Sequence, residues 1–83
     1  MNGRRLPDGS PIADLEPGDY ARRGSRWWVR LPLEDGRGLA QPLTENVWTV
    51  TEHDDGSITV TPSIRCTFTG WHGYLEHGVW RTA

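Results

Sequence analysis

The sequence predicts an all-β fold: a small twisted antiparallel sheet or partly open barrel of five or six strands, with one short helical turn near the N-terminus. Three observations predict it. Pro32, Pro42 and Pro62 interrupt every stretch long enough for a helix. Apolar and polar residues alternate from Trp27 to Leu31 and again through Trp48–Val50 and Ile58–Val60, the period of a half-buried strand. Two turn signals, Asp54-Asp55-Gly56 and His77-Gly78, separate runs of matching parity in the last third of the chain.

The 83 residues are expected to form one domain over 1–83 with a small core. Hydrophobic residues make up 35% of the chain, and the 10 glycines bring this to roughly 47%, an ordinary globular value. The 5 tryptophans supply the bulk that Leu, Ile, Val and Phe do not, since each can bury about 150–250 Å².

Residues 1–9 are polar, with a turn-like Asp8-Gly9, and are expected to be a flexible arm at least to Arg5. Ser10 as N-cap before Pro11 predicts a helical turn over Ile12–Leu15, which Pro17-Gly18 ends in a type II turn. Arg26–Leu31 reads as a strand. Trp27, Val29 and Leu31 share its core face, and Arg26, Trp28 and Arg30 form a ladder on the other. Glu34–Gly38 is a loop, and Leu39–Gln41 a short strand ended by Pro42. Val47–Glu52 and Ser57–Thr61 form a hairpin. A three-residue loop, Asp54-Asp55-Gly56, pairs Val50 with Val60 and puts Gly56 at the left-handed position of the bulge. It also keeps Trp48, Val50, Ile58 and Val60 on one face. A second hairpin, Trp71–Glu76 with Val79–Thr82, turns at His77-Gly78 and pairs Leu75 with Trp80 and Tyr74 with Arg81. Trp71, Leu75 and Trp80 then face the core, and His72, Tyr74, Glu76, Val79 and Arg81 face away.

Composition excludes several chemistries. All 9 basic residues are arginine, so Schiff-base chemistry and a P-loop lysine are out. The net charge of −2 disfavours a dedicated nucleic-acid binder. A single Cys forms no internal disulfide. No apolar run reaches the ~18 residues of a membrane span, and the N-terminus lacks the apolar stretch of a signal peptide. A soluble cytoplasmic protein without a cofactor is the expectation. The serines sit in no strand–turn–helix elbow, and nothing beside Cys66 and His72 suggests an oxyanion hole. Cys66, His72 and His77 are the metal alternative, but their spacings of 6 and 5 match no paired-ligand pattern. Asp54-Asp55 and Glu34-Asp35 read as turn chemistry, and Gly36-x-Gly38 opens no helix.

The best surface feature is the Arg26-Trp28-Arg30 ladder, because Trp and Arg are enriched at binding hot spots. Tyr74 opposite Arg81 repeats the aromatic–guanidinium pairing. These five residues are the expected partner surface. They form one patch if the sheet closes enough to bring them to one side; otherwise the Trp28 ladder alone is expected to function.

Thr61-Pro62-Ser63-Ile64, followed by Gly70-Trp71-His72-Gly73-Tyr74-Leu75-Glu76-His77-Gly78-Val79-Trp80, resembles a C-terminal signature of small bacteriophage and prophage proteins of unknown function. There a hairpin beginning DG(T/S)(I/V)(T/S)V leads to PSI and, after a variable insert, to WHG-(aromatic or Leu)-L-x-x-G-x-(W/I). The resemblance covers residues 47–81 and implies a phage gene. Some relatives carry a Cys two or three residues before the His; here Cys66 lies 6 before His72, outside that pattern. The expectation is a non-enzymatic, phage-encoded protein that binds a host or phage protein complex, as an inhibitor of host defence of the anti-CRISPR kind. The alternatives are a minor virion or assembly protein, and a metal-binding or nucleotide-acting enzyme.

Overall fold

The computed structural model describes residues 1–33 and 38–83, so the expected loop over Glu34–Gly38 lies, apart from Gly38, outside the described residues. The described chain is all-β, with one 3-10 turn at Ile12–Asp14. Its strands are β1 (Arg4–Arg5), β2 (Asp19–Arg23), β3 (Arg26–Arg30), β4 (Ala40–Leu43), β5 (Thr49–Glu52), β6 (Ile58–Arg65), β7 (His72–Glu76) and β8 (Val79–Thr82). They form two four-stranded sheets, ordered β1-β2-β3-β4 and β5-β6-β7-β8. β1 runs parallel to β2, and every other neighbouring pair is antiparallel. Instead of one sheet of five or six strands, there are two sheets of four that do not close into a barrel.

Turn chemistry sets the registers. In the β5–β6 hairpin the His53 N–H donates to Ser57 O at 2.8 Å, which leaves a three-residue loop and pairs Val50 with Val60. Gly56 closes that loop at φ +87°, where a side chain would be strained. His77 and Gly78 both have positive φ, 48° and 76°, so the β7–β8 turn twists with its strands and pairs Leu75 with Trp80 and Tyr74 with Arg81. The Asp19 N–H donates to Glu16 O at 2.9 Å across Pro17-Gly18, closing the expected turn.

Other boundaries differ. β5 starts at Thr49 rather than Val47, because the Val47 and Trp48 N–H groups donate to Thr44 O in a turn. β4 runs through Pro42, which an edge strand tolerates. β6 continues past Pro62 to Arg65, with a register shift between Val60 and Ile64 around the residue that has no N–H to donate. Pro11, not Ser10, is the N-cap of the 3-10 turn, without a side-chain cap bond.

The N-terminal segment is paired rather than a loose arm. Arg4 and Arg5 lie beside Asp19 and Tyr20, and Asn2 bridges Val79 at the edge of the second sheet. Gly3 N–H donates to Gly78 O at 2.7 Å and Trp80 N–H to Met1 O at 2.8 Å. Residues 1–5 therefore join β8 of one sheet to β2 of the other along one side. The other edge strands of the two sheets, β4 and β5, pair with no further strand among the described residues.

Between the sheets lies one core: Tyr20, Trp27, Val29, Leu31 and Leu43 from the first half, and Ile58, Val60, Ile64, Trp71, Leu75 and Trp80 from the second. Trp48 and Val50 pack against it half-buried. At one end the core is capped by a ring of ion pairs. Arg5 bonds Asp8 at 2.9 Å and Glu52 at 2.6 Å, while Arg22 bonds Asp8 at 2.8 Å and approaches Glu52 at 3.4 Å. Both guanidinium groups also lie over the Trp27 ring, at 4.9 and 5.6 Å from its centroid.

Candidate functional site

The outer faces of the two sheets differ. On the first sheet Ala21, which register turns away from the core, is nevertheless buried, as is Leu15, and neither belongs to the central cluster. Segment 6–16 lies over this side. Leu6 and Gly9 N–H groups bond along β2, and Arg23 and Arg30 reach out to carbonyls of residues 9, 10 and 15. Asp19 is buried beneath, held by Arg4 at 2.9 Å and by the Glu16 N–H at 2.9 Å.

That covering changes the reading of the first ladder. Trp28 is half-buried beside its cross-strand neighbours Ala21 and Pro42. Arg30 donates Nε–H to Gly38 O and an Nη1–H to Leu15 O, both at 2.8 Å, so its guanidinium brackets two chain segments rather than awaiting a partner. Arg26 is exposed and sits 3.5 Å from Glu45. The structure does not bring this ladder together with Tyr74 and Arg81, which stand on the outer face of the other sheet.

The outer side of the second sheet carries half-buried and exposed side chains, with none fully buried. Alternation turns Thr49, Thr51, Thr59, Thr61, Ser63 and Arg65 of β5 and β6 outward, beside His72, Tyr74, Val79 and Arg81 of β7 and β8. The Arg81 guanidinium lies over the Tyr74 ring, 4.7 Å from its centroid, and bonds Glu76, which holds its pKa above the usual arginine value. His72 tilts against Tyr74 at 6.2 Å between centroids, and its Nε2 lies 2.7 Å from Ser63 Oγ. Beyond Arg65 and His72 the chain makes a tight loop. Gly70 N–H donates to Cys66 O at 2.8 Å, and Cys66 N–H to Trp71 O at 2.9 Å. This loop holds Phe68 at its tip, 81% exposed. Sequence alternation missed Phe68, because a loop residue has no parity. Its signal was the chain's single Phe standing between two threonines and a turn glycine.

The metal alternative is not assembled. Cys66 and His72 lie at one end of β7, whereas His77 is at the other, stacked on His53 at 4.1 Å between ring centroids. His77 Nε2 faces Asp55 at 3.3 Å, and His53 Nε2 lies 2.6 Å from Thr59 Oγ1. No three His, Cys, Asp or Glu side chains among the described residues converge as ligands. Hydrogen bonding from Thr69 holds the half-buried Cys66 thiol below the usual thiol range, and His72 is engaged with Ser63. No helix of the described chain is long and apolar enough to cross a membrane.

No family model matches the chain, and no solved structure matches it. Over 35 residues, 42% of the chain, it is 46% identical to a valine–tRNA ligase of Gluconobacter oxydans (strain 621H), of which the match spans 4%. So short a share of that enzyme shows no family for this chain.

Proposed function

We propose that this chain is a non-enzymatic binding protein that acts through protein–protein contacts, with the outer face of the second sheet and the Phe68 loop as its surface. One observation carries the reading. One outer face is covered by the chain's own N-terminal segment, while the other presents the Tyr74–Arg81 pair, and the loop that leads into β7 exposes Phe68. Tyrosine and arginine are enriched at binding hot spots, and tyrosine gives contact area at low entropic cost. Of the five residues nominated from sequence, Tyr74 and Arg81 stay in the surface, and Trp28, Arg26 and Arg30 leave it.

The resemblance of residues 47–81 to a phage signature supports a narrower version: a phage-encoded inhibitor that acts on a host defence complex in the host cytoplasm, as anti-CRISPR proteins do. Affinity capture from host lysate, read by mass spectrometry, tests it. Wild type is expected to capture a host nuclease or surveillance complex. Tyr74→Ala/Arg81→Glu and Phe68→Ala are expected to lose it with little change in melting temperature. Capsid or tail proteins in the capture would make the chain a virion or assembly factor. Capture untouched by both variants would refute the surface.

A further inference from the structure

The tips of two hairpins meet through a pair of histidines. His53 opens the β5–β6 loop and His77 occupies the β7–β8 turn. Their rings lie parallel within 3°, with centroids 4.1 Å apart. Thr59 on β6 holds both. Its hydroxyl oxygen accepts the His77 backbone N–H at 2.9 Å and lies 2.6 Å from His53 Nε2. The same tips anchor the N-terminal segment: Arg5 donates to Gly56 O at 3.1 Å, and the Gly3 N–H to Gly78 O at 2.7 Å. Parallel planes keep the in-plane lone pairs of the two rings from converging, so they do not chelate one ion.

The charges around the two rings are unequal. His77 Nε2 faces the Asp55 carboxylate at 3.3 Å. Asp55, held at about 2, keeps its charge throughout the range in which histidines titrate. His53 Nε2 faces the uncharged Thr59 hydroxyl instead, and of the two rings only His77 meets a carboxylate among the described residues. Other groups at these tips are engaged or neutral. Glu52 is bonded by Arg5 and Arg22, Glu76 by Arg81, and burial keeps the Tyr20 hydroxyl near Gly78 uncharged. Asp54 is exposed in the shallow cleft that the rings line. A first proton therefore belongs on His77, where it pairs with Asp55 and lies over the His53 ring as a cation on an aromatic face. A second proton sets like charges against each other across 4.1 Å.

We propose that the His53–His77 stack is an acid-sensitive joint between the two hairpins, which holds with one imidazolium and opens when both rings are charged. The open form takes the second proton more readily, so it gains as pH falls and loses as pH rises. The His77 and Asp55 side chains are 64% and 61% exposed, so the repulsion is that of charges in water. Two unit charges about 4 Å apart there lower the closed-to-open ratio about three- to fivefold, depending on salt. The joint belongs to the chain alone and needs no partner.

Amide hydrogen exchange at position 77 tests this, because that N–H is held by Thr59 only while the turn is docked. Exchange from the ¹⁵N-labelled full chain is measured at about pH 8 and about pH 5, either side of the ordinary histidine range, and corrected for the intrinsic rate at each pH. The Cys66 N–H, bonded to Trp71 O beyond the other end of β7, is the reference. Protection at His77 is expected to fall about three- to fivefold on acidification while the reference holds. His53→Phe keeps a ring in the stack and removes one charge. His77→Asn removes the other, with a residue that tolerates positive φ. Either variant is expected to abolish the pH dependence at position 77. If Phe at 53 fails to fold, His77→Asn still decides. Unchanged protection in the wild type, an equal fall at Cys66, or a fall that persists with either ring replaced would overturn the joint.

Discussion

Trp80 staples the two sheets together, and its replacement by Phe measures the staple. The ring is 4% exposed and meets Trp71 edge-on at 5.6 Å between centroids. Its Nε1–H donates to the carbonyl of Gly18 at 2.9 Å, in the turn that leads into β2 of the other sheet. Trp80→Phe keeps an aromatic in place but removes that donor and part of the ring. Leaving the buried Gly18 carbonyl without a partner costs about 1–3 kcal/mol. A residual void on the order of 40 Å³ adds about 1 kcal/mol at ~24 cal/mol per Å³. The sum, about 2–4 kcal/mol, is a large share of the roughly 4–12 kcal/mol available to a domain of this length. At about 4–8 °C per kcal/mol, the melting temperature falls by roughly 8–30 °C. Trp80→Ala loses about 3–5 kcal/mol of packing as well as the hydrogen bond, and most of the population is then unfolded. Thermal and urea unfolding followed by far-UV circular dichroism read both variants. A Trp80→Phe protein melting within about 2 °C of wild type, a shift worth only a few tenths of a kcal/mol, would refute the buried staple.

Gly73→Ala is expected to destabilise by about 1–3 kcal/mol, because the added Cβ would press on the Arg81 carbonyl and the Trp71 ring, and backbone cannot swing aside. Urea unfolding checks this, and an unchanged midpoint would contradict the packing at β7. Arg30→Glu is expected to cost about 1–3 kcal/mol by breaking two charge-assisted bonds to carbonyls, while Arg26→Ala costs less than about 1 kcal/mol as a surface pair. The reverse order would return Arg30 to the partner surface. Asp55 is held at about 2, below its ordinary 3.8, chiefly by the Ser57 hydroxyl and N–H and less by His77. A carboxylate depressed on folding contributes stability above its unfolded value and loses it as pH falls through its folded value. That contribution is therefore whole above 3.8 and fades toward about 2. A ¹³C titration of the Asp55 carboxyl is expected to show this midpoint, and Ser57→Ala is expected to move it up toward 3.8. An unmoved midpoint in that variant, which keeps the backbone N–H at 57, would discount the Ser57 hydroxyl bond.

The C-terminal half was legible because its turns are local. Asp54-Asp55-Gly56 and His77-Gly78 each admit one loop length that agrees with the parity of the flanking apolar residues, so Val50 met Val60 and Leu75 met Trp80 as expected. β1 and β2 were not legible, since charged residues fill both and their places depend on distant partners. Asp19 is buried only because Arg4 and the Glu16 N–H meet it. Arg22 shares the inner face with Tyr20 only because Asp8 and Glu52, from other elements, neutralise it beside Arg5. Alternation showed which side of β3 held Trp28 and Arg30, but not that residues 6–16 would fold over that side. Tyr74 and Arg81 pair across β7 and β8 on the side away from the core, as alternation and the His77-Gly78 turn predict.

The two sides of the molecule are closed by different means. Along β1 and β8 the sheets are joined by backbone hydrogen bonds, which no ligand displaces without breaking main-chain pairing. Along β4 and β5 the described residues show no such pairing, and Trp48 and Val50 pack there against the shared core, while the Arg5–Asp8–Arg22–Glu52 ring ties β1 and β2 to the end of β5. Exposed ion pairs are individually weak and exchange readily with solvent and other charges. The outer face of the second sheet offers an aromatic–guanidinium pair with hydroxyls. It stands on strands whose registers are set by turn residues and a shared core, so it presents its side chains already in place, and binding need not order the backbone that carries them.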